Sequence, residues 1–142
     1  MKIRPHHLLC TRSFRGRGYS DFFIDNMRRV IDRLKNNADV EIYCGMDCIC
    51  SACPENKNGI CSSQEKVTML DSHTVKYLKL DKENYLYSAI ENIIAEHLSE
   101  DVYNMICGNC EWKKQGICTY ADVRKRFSEQ TDFSRQQQFY PE

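Results

Sequence analysis

The chain has 142 residues, 42% apolar and 28% charged, and its 20 basic and 20 acidic side chains leave no formal net charge. This suits one globular domain able to bury an ordinary core. It removes any global electrostatic case for nucleic-acid or membrane binding, so neither is expected as a partner. Charge is nevertheless uneven: residues 1–37 carry nine Lys/Arg against three Asp/Glu, and residues 38–110 carry five against twelve. Pairing within the chain is the expected use of that asymmetry. A docking face for an acidic partner is the alternative, with Arg15 and Arg17 in its basic turn.

The opening "MKIRPHHLLC" has only Leu8, Leu9 and Cys10 as an apolar run, too short for a signal segment. No stretch approaches the roughly 18 apolar residues of a membrane span. A cytoplasmic location is therefore expected. Thiols stay reduced there, and nine cysteines is an odd number, so a disulfide framework is disfavoured.

Arg4-Pro5-His6-His7 reads as a helix start, since proline's missing N–H costs nothing in the first turn. His6 and Cys10 stand at i and i+4 and would share a face, with His7 pointing elsewhere. Ser20 is a good N-cap for a helix ending near Asn36-Asn37, with Tyr19 and Ile24 spaced as a hydrophobic staple. Phe23, Met27, Val30, Ile31 and Leu34 form its core stripe. Val40, Ile42 and Cys44 alternate as a short strand, with Cys44 expected as a small buried residue. Residues 66–70 fit a second short strand or the lead-in to a helix capped by Asp71. Residues 82–98 predict a helix with Leu86, Ile90, Ile93, Ile94 and His97 on one face. Ser99 starts another that delivers Cys107. Thr119-x-x-Asp122 starts the last, with Val123 and Phe127 inward, and residues 135–142 read as a loose tail. The expected fold is a single mainly α domain over 1–142, with at most a small short-stranded sheet and two cysteine loops between helices. His73 and His97 read as ordinary surface or core histidines.

Two phrases carry chemistry. "CSACPENKNGIC" at 50–61 and "CGNCEWKKQGIC" at 107–118 share the pattern C-x2-C-x5-G-I-C. A C-x2-C turn folds two sulfurs toward one metal, and Gly59 and Gly116 permit the positive φ that such loops need. Repetition of the whole pattern points to two related metal-binding loops. Each supplies three thiolates, whereas tetrahedral zinc or a cubane cluster takes four ligands. Either each phrase borrows a ligand, from Cys10, Cys44, Cys48, His6 or His7, or the two converge on one centre. Thiolates suit zinc and iron–sulfur clusters alike. Pro54 after Cys53 matches the Cys-Pro of cluster loops, whereas Glu111 takes that place in the second phrase.

"RPHHLLC", "RGRGYS", "ICSACPENKNGIC" and "ICGNCEWKKQGIC", in that order over nearly the whole chain, resemble a family of small single-domain bacterial and archaeal proteins of unknown function described as iron–sulfur binding. The resemblance implies a ligand set drawn from His6, His7, Cys10, Cys50, Cys53, Cys61, Cys107, Cys110 and Cys118. Trp112 fits the second phrase, and Cys44 and Cys48 lie outside the pattern. The function expected is an iron–sulfur protein of electron transfer or redox sensing, its cluster held by the two loops and an N-terminal ligand, with a redox protein as partner. The alternative is a zinc-stapled interaction module without a redox role. A third reading is an enzyme with a Cys10 nucleophile beside His6 or His7, but the sequence names no group to orient the imidazole.

Overall fold

The computed structural model describes residues 1–16, 20–61, 63–108 and 110–127. The staple residue Tyr19, Arg17 of the basic turn and the tail 135–142 lie outside them. Among the described residues the fold is mainly helical, with a three-stranded sheet and a two-stranded one.

Strand β1 (Lys2–Ile3) runs parallel to β2 (Asp39–Ile42), which pairs antiparallel with β5 (Asn84–Leu86) in the order β1-β2-β5. The Met1 ammonium donates to the Asp39 carbonyl at 2.8 Å. The strand pins the N-terminus, so Arg4 to His7 leave the sheet at a fixed point and enter α1 (His7–Ser13). Helix α2 (Asp21–Lys35) starts on Ser20, whose Oγ accepts from the Phe23 amide at 3.1 Å, and its predicted stripe is buried. Beyond β2, Cys44 is exposed rather than buried, because the strand ends at Ile42 and the chain turns away.

The first cysteine phrase forms a 3-10 turn (Cys50–Ala52) and a hairpin of β3 (Asn56–Lys57) and β4 (Ile60–Cys61). Residues 66–70 are helix, within α3 (Gln64–Leu78). The burial of Leu70, Thr74 and Leu78 at i, i+4 and i+8 outweighs the short β-branched pair Val67-Thr68. Asp71 is thus no cap but a buried mid-helix residue. Helix α4 (Tyr87–His97) starts five residues later than expected, because Asn84–Leu86 is taken by pairing with β2, which leaves Leu86 exposed. Ile90 and Ile94 are core as expected.

Ser99 caps α5 (Glu100–Cys107), accepting from the Val102 amide at 3.1 Å, and Cys107 is its last residue. After α6 (Glu111–Lys114), Thr119 caps α7 (Tyr120–Val123). Val123 and Phe127 face inward. Buried Leu8 and Leu9 place α1 inside the core, and Arg12 donates to the carbonyls of Lys125 and Arg124 at 2.8 and 3.2 Å. Helix α1 therefore ties the sheet to the C-terminal end of the described chain. Part of the basic excess of residues 1–37 is spent inside the molecule, in the pairs of Arg4 with Asp71 and Arg15 with Asp122, both at 2.6 Å.

Candidate metal centre

Between β1 and α1 the backbone places His6 just before the helix and His7 as its first residue, so the rings are neighbours, centroids 4.3 Å apart. His7 does not point elsewhere, because His6 precedes the helix proper. Each ring is held by its own aspartate. His6 Nδ1 meets Asp71 Oδ1 at 2.6 Å, and His7 Nδ1 meets Asp47 Oδ2 at 2.7 Å. Arg4 links the two acids, its amide donating to Asp47 at 2.7 Å and its guanidinium to Asp71 at 2.6 Å. Burial, followed by the charge of His7, lowers His6 to about 4 despite Asp71, so His6 is neutral near pH 7. Neutral imidazole with Nδ1–H donated to a carboxylate presents Nε2 as a lone pair, the form in which histidine binds metals. Burial would raise both acids. The hydrogen bonds and charge of His7 hold Asp47 well below the usual carboxylate range, and those of His6 and Arg4 lower Asp71.

Asp47 also builds the first cysteine loop. Its Oδ1 accepts from the amides of Ile49 and Cys50 at 3.0 and 2.9 Å and starts the 3-10 turn. The Cys53 amide donates to the Cys50 carbonyl at 3.0 Å. Asn56 Oδ1 then accepts from the Gly59 amide at 2.9 Å, and Gly59 at φ +85° reverses the chain. The hairpin returns Cys61 opposite Asn56, and the Ser63 amide reaches the Cys61 sulfur at 3.4 Å.

The second loop repeats the turn and the glycine, with the short helix α6 in place of the hairpin. The Cys110 amide donates to the Cys107 carbonyl at 2.9 Å, and Gly116 stands at φ +76° before Cys118. The Tyr103 hydroxyl, one helical turn before Cys107, lies 3.0 Å from the Cys118 carbonyl oxygen and 3.4 Å from its sulfur. Cys10 comes from α1 into the same group. Burial, with the charge of Cys110, Cys118 and Cys107, raises its thiol well above the ordinary value. Cys107 is pushed up to about 12 by burial and by Cys118 and Cys110. Thiols crowded in this way hold one another's protons, and a bound cation reverses that, so metal uptake releases protons.

A cavity of about 200 Å³ joins the parts. It is lined by Arg4, His6, His7, Cys10, Cys50, Cys53, Cys61 and Cys110, with Trp112 and an apolar wall. Of the nine side chains the sequence singles out, seven line it, and Cys107 and Cys118 do not. Ligand atoms of His7, Asp47 and Cys50 lie within 4.8 Å of one another, a possible metal-binding triad. Asp47, however, already accepts four hydrogen bonds, which makes it the holder of the other two. The buried Arg4 Nε has no hydrogen-bond partner among the described residues, a donor left over at a thiolate-rich site. The donor set therefore fits a thiophilic metal or cluster.

Asp47, Asp71 and Tyr103 are the residues that sequence reasoning misses. The only signal for the aspartates is indirect: two buried histidines each need an Nδ1 partner. The same geometry weakens the nucleophile reading. Asp47 is an orienting group for His7, but burial and the charge of Cys110, Cys118 and Cys107 raise the Cys10 thiol, opposite to what a reactive thiolate requires.

No helix among the described residues is long and apolar enough to cross a membrane. No curated protein and no solved structure matches the chain. The sequence profile of one family matches residues 18–116, which takes in both C-x2-C pairs but neither the "RPHHLLC" opening nor Cys118. That span is well over half the chain, and the protein belongs to this family, described as a protein of unknown function (DUF1284).

Proposed function

We propose that this is an iron–sulfur protein whose cluster is held by Cys10, Cys107, Cys110 and Cys118, and that it transfers electrons or senses redox state. What supports this reading is that these four thiols, from α1, the end of α5 and the second loop, act on one another through their charge, with a hydroxyl set at the Cys118 sulfur. Such a cluster would supply one-electron redox chemistry. The chain's own residues set its potential: the Tyr103 hydroxyl stabilises charge on the Cys118 sulfur, and burial disfavours added charge. These are the levers by which a protein sets the potential of a redox centre.

A partner protein would dock near the second loop, and the basic turn at Arg15 is one cationic candidate beside Lys113 and Lys114 of the loop itself. Arg15 already pairs with Asp122, so a docking role there must compete with that ion pair. Purification without air, with a visible spectrum before and after dithionite, tests the proposal. A brown protein that bleaches supports it. A colourless protein whose zinc is removed by chelators with loss of structure selects the zinc staple instead.

A further inference from the structure

The four-thiol group leaves Cys50, Cys53, Cys61, His6 and His7 unassigned, although all five line one cavity. We propose that this cavity holds a second, separate metal site, a mononuclear one with a mixed imidazole–thiolate shell of His7, Cys50, Cys53 and Cys61. It rests on the reading of the chain as a thiolate metal protein, though not on the cluster. Its occupant is a borderline-soft divalent ion, the class that includes zinc and ferrous iron.

Compactness comes first. A ring nitrogen of His7 and the Cys50 sulfur already lie within 4.8 Å of one another. Metal bonds of about 2.0–2.3 Å put neighbouring tetrahedral ligands roughly 3.5 Å apart, so the His7 ring and the Cys50 sulfur stand close to the spacing of a metal's ligands. Orientation is built in as well. Asp47 takes Nδ1 of His7 and leaves Nε2 for a metal, and the same carboxylate fixes the turn that carries Cys50. The remaining two ligands are supplied by the loop. Cys53 sits at the end of the 3-10 turn, and the hairpin turned by Gly59 brings Cys61 back to the same cavity wall.

Charge is also provided for. Three thiolates and a neutral imidazole around a divalent ion carry one net negative charge, and the Arg4 guanidinium lines the same cavity as a cation. His6, tied to Asp71 beside His7, then faces the cavity as a neutral imidazole outside the four-ligand shell. Helix α1 supplies His7 to one site and Cys10 to the other, and Cys10 and Cys110 line the same cavity.

The test uses the full chain purified without air. Metals and acid-labile sulfide are counted per chain, and X-ray absorption reads the shell of each metal. The variant Cys53→Ser/Cys61→Ser is expected to lose one ion per chain and keep the iron and sulfide of the four-thiol group. The variant Cys107→Ser/Cys110→Ser is expected to do the converse, keeping one ion with a mixed nitrogen–sulfur shell. Loss of all metal in both variants with circular dichroism unchanged, or full metal content in the first, would overturn the proposal. Should a variant fail to fold, the wild-type spectrum decides. One nitrogen–sulfur ion per chain supports the second site, and sulfur-only shells at every metal contradict it. Absence of sulfide, with the mixed-shell ion retained in the second variant, sinks the cluster and leaves this site standing.

Discussion

Asp71 accepts from both Arg4 and His6 at 2.6 Å in a region closed to water, so its removal leaves a guanidinium and an imidazole buried without their partner. Asp71→Ala is expected to destabilise the fold by about 3–5 kcal/mol, the range for breaking a buried charge pair. Denaturant unfolding reads this, and a cost below about 1 kcal/mol would show that water replaces the carboxylate. The histidine next to it predicts a pH response. His6 is lowered from 6.5 to about 4 on folding, so between these values the unfolded chain binds a proton that the folded one does not. Its contribution is present above 6.5 and lost as pH falls toward 4. Asp71 and Asp47, both lowered, add a further loss below the unfolded carboxylate value. Stability should therefore begin to fall near pH 6.5, and His6→Gln should delay that onset; a curve flat from 7 to 5 contradicts the assignment. Tyr103→Phe removes the hydroxyl at the Cys118 sulfur. The reduction potential of the centre should drop by tens of millivolts, the equivalent of ~1 kcal/mol for one electron. An unchanged potential would place that hydroxyl's hydrogen bond on the Cys118 carbonyl alone.

At the scale of elements, the two loops are one device used twice. A Cys-x2-Cys turn closes on the carbonyl of its first cysteine, and a positive-φ glycine returns the third. At both Gly59 and Gly116 an added Cβ would meet no atom within 4 Å, so alanine there costs backbone strain alone. Gly59→Ala and Gly116→Ala should each destabilise by about 1–2 kcal/mol and by similar amounts, read as melting temperature. Markedly unequal losses would show that the loops are not equivalent. This repetition is plain in the sequence, because spacing and glycine placement are local properties. So are the caps at Ser20, Ser99 and Thr119, where a hydroxyl three residues before an amide suffices. Local pattern fails where pairing is non-local. Asn84–Leu86 looks helical until β2 claims it, and residues 66–70 fit either a strand or a helix until their burial is known.

For the whole molecule, α1 is the element that contributes to both of the proposed metal sites. It carries His7 and Cys10, its entry is fixed by β1, and its far end is clamped by Arg12 to the carbonyls of residues 124 and 125. Metal loss should therefore loosen both halves together. The thiols and histidines of this arrangement are legible in the sequence, since their residue types and spacings are those of metal ligands. Their proposed division into two groups is not, because it depends on how the fold brings the two loops to α1. Nor are Asp47 and Asp71, two of 20 acidic residues with no distinguishing pattern until the fold sets them against His7 and His6. The most direct measurement is the count of iron, acid-labile sulfide and zinc per chain after purification without air, in the wild type and in Cys10→Ser. Iron and sulfide in matching amounts, both lost when Cys10 is replaced, are the predicted result. Zinc without sulfide, or a cluster indifferent to Cys10, would contradict the four-thiol iron–sulfur centre.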